Sequence, residues 1–209
     1  MLTLAVGVTS ATATLPSVSL LSGEEFPVTI EGKSGEAKIE TVLKTAIICT
    51  GSSEKFSIAS GGSLGTYSKD FTGCKLGTTP CNTDGDAAET LLLTGEVHLV
   101  PVSAGSLTFI RILYLTAAPF NINCGKMKIK AQGPLIGSFN GTLGSDITSF
   151  KSKLAGSGGK QELTSYFNNE EKEVTKSLML LNFGLGNENA DLAISGETTY
   201  TSSKMIIIS

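Results

Sequence analysis

Four cysteines, Cys49, Cys74, Cys81 and Cys124, punctuate a chain that otherwise reads as strand and turn almost throughout. An even count in such a chain points to two disulfides, and disulfides persist where the surroundings are oxidising. Zinc does not fit the spacing. Six residues separate Cys74 from Cys81, where a structural zinc site takes two to four, and His98 is the only imidazole. No Cys-x-x-Cys is present, so a redox-active dithiol is not expected. Of the three possible pairings, the favoured one joins Cys74 to Cys81, because Gly77 and Pro80 can turn the chain back between them. Cys49 then joins Cys124, each following apolar residues (Ile47 and Ile48; Phe120 and Ile122). In the chain-entropy account the long loop contributes roughly 4–5 kcal/mol and the short one about 2–3 kcal/mol.

Between the cysteines the side chains alternate with the period of a pleated strand. Ala37, Ile39 and Thr41 share one face and Lys38 and Glu40 the other; Met127, Ile129 and Ala131 oppose Lys126, Lys128 and Lys130. Thr45 to Cys49 is an apolar run that suits a strand covered on both sides, and the long apolar stretch 107–116 suits a central strand. Thr90 to Leu93 and Glu96 to Val102 read as a pair or as one strand kinked at Gly95. Asn140-Gly141 is the strongest hairpin signal, since a type I′ turn needs positive φ at both central residues. Only residues 168–176, with Glu170, Glu171, Lys172, Glu173 and Lys176, look helical, and they are too short and poorly capped for more than a loop or single turn. The expected fold is therefore all-β: an antiparallel β-sandwich or β-barrel of about a dozen strands, with two disulfides and little or no helix.

Residues 1–13 read as the tail of an export signal, an apolar run from Leu2 to Val8 leading into Ala11-Thr12-Ala13. Residues 14–35 then form a lead-in segment, and 36–209 a single β-domain. No apolar run approaches the ~20 residues of a spanning helix. With 6% aromatic residues and no Trp, the girdles of an outer-membrane barrel cannot be assembled, so the chain is not expected to span a membrane. Sixteen Lys and Arg are scattered in a chain of net charge -3, which leaves no basic stripe for nucleic acid.

The chain resembles a family of uncharacterised secreted proteins found in many copies in soil actinobacteria. The resemblance is carried by Gly35-Glu36-Ala37-Lys38-Ile39-Glu40-Thr41, by Ile48-Cys49-Thr50, and by the run FTGCKLGTTPC from Phe71 to Cys81. Gly85, Glu89, Leu93, Gly95-Glu96, the segment from Phe120 to Ile129 and Ile136-Gly137 also fit. The chain departs from the family pattern at Val97-His98-Leu99, where members continue with Leu-Gly-Tyr. The resemblance implies an exported, disulfide-bearing protein and no particular activity.

Candidate sites are few. Asn82, Asp84, Asp86 and Glu89 gather oxygen ligands that calcium takes, yet the twelve-residue calcium pattern is not there and turn formation accounts for them. His98 shares a strand face with Glu96, a pairing that serves acid–base chemistry or plain surface alike. No nucleophile elbow or zinc-protease motif occurs, and no catalytic residue or cofactor is expected. The leading expectation is a secreted, non-enzymatic component of the cell surface or matrix, of structural or adhesion type. Its partners would be an envelope or extracellular polymer, or further copies of itself. A small-molecule or glycan-binding barrel is the alternative, marked by a concave cluster of Tyr67, Tyr114, Phe109 or Phe120 with acids. A secreted hydrolase would require two inward carboxylates about 5–10 Å apart.

Overall fold

The computed structural model describes residues 16–59, 64–104, 107–167, 173–175, 179–183 and 190–208, and among them are strands and turns with no helix. The chain begins with β1 (Val18–Leu20), β2 (Val28–Ser34), β3 (Ala37–Thr41), β4 (Ala46–Cys49), β5 (Gly51–Ile58), β6 (Leu64–Thr72) and β7 (Lys75–Leu76). It continues through β8 (Thr79–Thr83), β9 (Thr90–Ala104), β10 (Leu107–Thr116), β11 (Phe120–Cys124), β12 (Met127–Gln132), β13 (Pro134–Asn140) and β14 (Asp146–Leu154). It ends with β15 (Gly156–Ser157), β16 (Lys160–Gln161), β17 (Ser165–Phe167), β18 (Glu173–Thr175), β19 (Met179–Phe183) and the long β20 (Ala190–Ile208).

Eight of these close an antiparallel barrel in the order β2, β5, β6, β9, β10, β13, β14, β20 and back to β2. The alternation of the sequence sets which side chains face in. In β5, Ser52, Glu54, Phe56 and Ile58 are buried while Ser53 and Lys55 are exposed. In β2, Val28, Ile30 and Gly32 are buried, while Glu31 and Lys33 stand in solvent. Slipping either strand by one residue would exchange these sets, so the buried face fixes the register.

A second run of pairings leaves β20 through β3, β4, β7, β8, β11, β12 and β19 and returns to β20. Strand β20 is long enough to serve both: residues 190–195 pair with β19 and β3, and residues 196–208 pair with β14, β2 and β1. The second run buries Ile39, Ile47, Ile122, Ile129, Leu192 and Ile194 in the same apolar cluster as the barrel interior. On the outside of the barrel a smaller cluster of Val100, Leu113 and Ile136 is covered by Leu163 and Tyr166, and Arg111 Nη1 donates to the Ser165 carbonyl at 2.5 Å. This explains why stretch 107–116 reads as apolar on both faces.

Several local expectations are corrected. Asn140-Gly141 is not a tight two-residue hairpin: Asn140 pairs with Lys151, and the chain turns over residues 141–145 with its positive φ at Gly144. The reason is β20, which takes Asp146 as a partner for Ile207 and so draws β14 out beyond the end of β13. Within the lead-in, Val28–Ser34 is a barrel strand bonded on both edges. Strand β4 is covered on one side, with Ile47 buried and Ile48 exposed. Of the two readings offered for Thr90 to Val102, the single strand is the one found, and a Cβ on Gly95 within it would lie 1.9 Å from the Leu115 carbonyl oxygen, so glycine is required there. Residues 168–172 and the leader 1–13 lie outside the described residues, while Glu173–Thr175 pairs with β17 as a strand.

Gly32 faces the ring of Tyr200; a Cβ there would meet Tyr200 Cε1 at 2.5 Å and Thr198 Cγ2 at 2.7 Å. Gly32→Ala is expected to cost about 1–3 kcal/mol through overpacking. Gly35→Ala, with nothing within 4 Å of the added atom, serves as the control. Equal chemical-denaturation midpoints for the two variants would contradict this packing.

Candidate functional site

The cysteines pair as Cys49–Cys74 and Cys81–Cys124, which overturns the expected Cys74–Cys81 and Cys49–Cys124. The register explains the difference. Ile48 lies opposite Lys75, which sets Cys49 beside Cys74; Lys75 lies opposite Pro80, which sets Cys74 beside Cys81; and Cys81 lies opposite Cys124. All four are buried in one row, Cys49 on β4, Cys74 immediately before β7, Cys81 on β8 and Cys124 at the end of β11, with Cα separations of 3.9 Å and 4.2 Å within the two bridges. A Cys74–Cys81 bond would strand Cys49 and Cys124 at opposite ends of that row, three strand spacings or roughly 14 Å apart, which no disulfide spans. The bridges close sequence separations of 25 and 43 residues. In the chain-entropy account these contribute about 3.5 and 4 kcal/mol.

Ionisable groups converge inside the barrel. Glu54 and Lys69 are direct cross-strand partners on β5 and β6, both buried, with Lys69 Nζ 2.7 Å from Glu54 Oε2. Tyr200 donates its hydroxyl to the same Oε2 at 2.7 Å, Lys69 Nζ also donates to Thr198 Oγ1 at 3.2 Å, and the Tyr114 and Tyr200 hydroxyls lie 3.0 Å apart. Ser152 Oγ sits beside Tyr114 without a well-formed hydrogen bond, and Glu54 Oε1 and Tyr67 OH are likewise buried and unpartnered. Around this network Phe56, Tyr200 and Phe150 stack at 5.0 Å and 4.8 Å, and Tyr67 meets Tyr114 edge-on at 5.3 Å. Beyond the aromatic layer, towards one end of the barrel, the space among Ile30, Ile58, Val97, Leu99 and Ile112 amounts to about 20 Å³, room for a water-sized body.

Burial raises the hydroxyl pKa of Tyr67, Tyr114 and Tyr200, and the Glu54 carboxylate raises each further, so all three stay protonated, with Tyr200 donating to Glu54. Glu54 is the only fully buried carboxylate among the described residues. Tyr67 and Tyr114 do meet beside an acid, as a binding barrel would require, but Phe109 stands exposed on β10 and Phe120 belongs to the second run.

The remaining candidates are dispersed. Asp84 accepts from Asn121 Nδ2 at 2.7 Å and Asn123 Nδ2 at 2.6 Å, which lowers its pKa. Asp86 accepts from the Thr83 hydroxyl, Asn82 Nδ2 donates to the Asp86 carbonyl, and Glu89 pairs with Lys75. Asp84 thus tethers the loop to β11, Asp86 closes the local turn and Glu89 holds an ion pair, and among the described residues no group of three acidic, His or Cys side chains gathers as a metal site. His98 lies on the outer face, 3.5 Å from Glu96, opposite inward Val97 and Leu99. Glu54, Lys69 and Tyr200 were missed from sequence although alternation marks them: Glu54 keeps step with Phe56 and Ile58, and Lys69 with Tyr67 and Phe71. Comparison of the chain with protein families, curated proteins and solved structures finds no match.

Two outcomes follow from the buried network. Lys69→Met, which leaves Glu54 charged and unpaired, should lose about 3–5 kcal/mol, while Glu54→Leu combined with Lys69→Met should recover most of it. Equal losses in the single and double variants would contradict a dry, paired site. The tyrosines set the alkaline limit. Their folded pKa values lie above the unfolded value near ~10, so their contribution is complete below that pH and lost as pH rises through it, by up to roughly 1.4 kcal/mol per tyrosine per pH unit. The melting temperature should fall steeply above about pH 10, with tyrosinate absorbance of these three residues appearing only with unfolding. Reversible ionisation of all three in the folded protein would contradict their burial.

Proposed function

We propose that this is a secreted, non-enzymatic β-barrel protein of the cell surface or extracellular matrix, which meets its partner with the outside of the barrel. One observation carries the reading: the barrel is filled by its own side chains, with the Phe56–Tyr200–Phe150 stack and the Glu54–Lys69 pair where a lumenal ligand would sit. A drug-sized ligand needs a cavity of some 300 Å³ or more. Over β2, β5 and β20 the outer wall is wet, with Glu31, Lys33, Ser53, Lys55, Thr199 and Thr201 exposed on adjoining strands. Two disulfides favour an oxidising compartment. The apolar run and Ala-x-Ala pattern in residues 1–13 and the resemblance to secreted actinobacterial proteins support export. Among the described residues no helix is long and apolar enough to cross a membrane.

The test is expression with its own leader in an actinobacterial host, followed by fractionation and thiol labelling. The expected result is protein in the medium or wall fraction with none of its four cysteines labelled before reduction. Recovery in the cytosol with four free thiols would overturn the reading.

A further inference from the structure

The four-cysteine row does more than staple. We infer that it is a redox-responsive relay, in which a single two-electron reduction releases both flanks of the β7–β8 hairpin. Cys74 and Cys81 belong to different bridges, yet they are neighbours in the row, and the Cys81 amide donates to the Cys74 carbonyl at 2.9 Å. Cross-strand neighbours hold their Cβ atoms about 4.5–5.5 Å apart, close to the span of a disulfide. Both side chains are fully buried on the same inner face, so a thiolate at one has the sulfur of the other as its adjacent electrophile.

The exchange balances. An external dithiol gives two electrons and two protons to Cys49–Cys74, becoming a disulfide itself and leaving thiols at Cys49 and Cys74. Cys74, deprotonated, then attacks Cys81 Sγ; the Cys81–Cys124 bond breaks, and Cys124 leaves as a thiolate that takes up the proton Cys74 gave. This second step consumes no electrons. Reduction that starts at Cys81–Cys124 reaches the same product, because Cys81 then attacks Cys74 and expels Cys49.

The product differs mechanically from the native form. Native bridges tie the hairpin to β4 on one side and to β11 on the other. The Cys74–Cys81 bond ties the hairpin only to itself. The flanks are then held by short ladders: two register positions between β4 and β7, and three between β8 and β11. None of the cysteines lies on a barrel strand, so the barrel keeps all its pairings. The device therefore loosens the second run of strands without opening the first.

The experiment is a graded dithiothreitol titration of the whole native protein, quenched in acid, labelled with a maleimide and mapped by peptide mass. The expected result is a two-label population carrying its labels on Cys49 and Cys124, with Cys74 and Cys81 protected. Two-label molecules marked only at Cys49 with Cys74, or only at Cys81 with Cys124, would overturn the relay. So would passage from no labels directly to four. In Cys49→Ser, without reductant, label should appear on Cys124, which is unlabelled in the parent protein; label confined to Cys74 would overturn the exchange step. The titration of the unmutated chain stands however well the variant folds.

Discussion

Closure through β20 is the constraint on which the rest of the structure depends. An open sheet of this size would leave two rows of unpaired amides and carbonyls, an invitation to pair with other chains. Here residues 196–208 bond to β2 on one edge and β14 on the other, so the barrel has no edge. The first part of the same strand does the equivalent for the second run, between β3 and β19. One strand thus holds two sheets in register, and a displacement in it would be felt in both.

Closure also decides what the interior can be. An eight-stranded barrel is wide enough to be filled by side chains or to hold one small ligand. The aromatic stack and the Glu54–Lys69 pair occupy that width, and glycines stand where the large rings need room: Gly32 faces Tyr200, and a Cβ on Gly137 would crowd Ser152 Oγ at 2.6 Å and Tyr114 at 3.4 Å. A buried ion pair is a weak source of stability against an apolar substitute, because desolvation offsets much of its attraction. Its cost is limited here by the hydroxyls of Tyr200 and Thr198, which share the hydrogen bonding.

The strand content and the half-buried faces were legible in the sequence because the period-two pattern is local. Ile129 and Ala131 face in and Lys128 and Lys130 face out, as alternation requires. What was not legible depends on which strands become neighbours. The cysteine pairing follows from the order β4, β7, β8, β11, and no spacing along the chain reveals that order. The Asn140-Gly141 turn was displaced by a partner some sixty residues later, since β20 drew β14 outward. The inward Glu54 and Lys69 keep the phase of their apolar neighbours, but their pairing was not legible, because it depends on the β5–β6 register that sets one opposite the other. Phe109 and Phe120, grouped with Tyr67 and Tyr114 by residue type, were separated by topology alone.

Amide hydrogen exchange followed residue by residue tests closure most directly, because a closed barrel opens its wall strands together. The account predicts that the amides of Tyr200 and Ser202 in β20 exchange as slowly as those of Phe56 in β5 and Tyr67 in β6, all at the rate of global unfolding. Rapid exchange along β20 while β5 and β6 stay protected would show a sheet with a free edge, and would contradict the architecture described above.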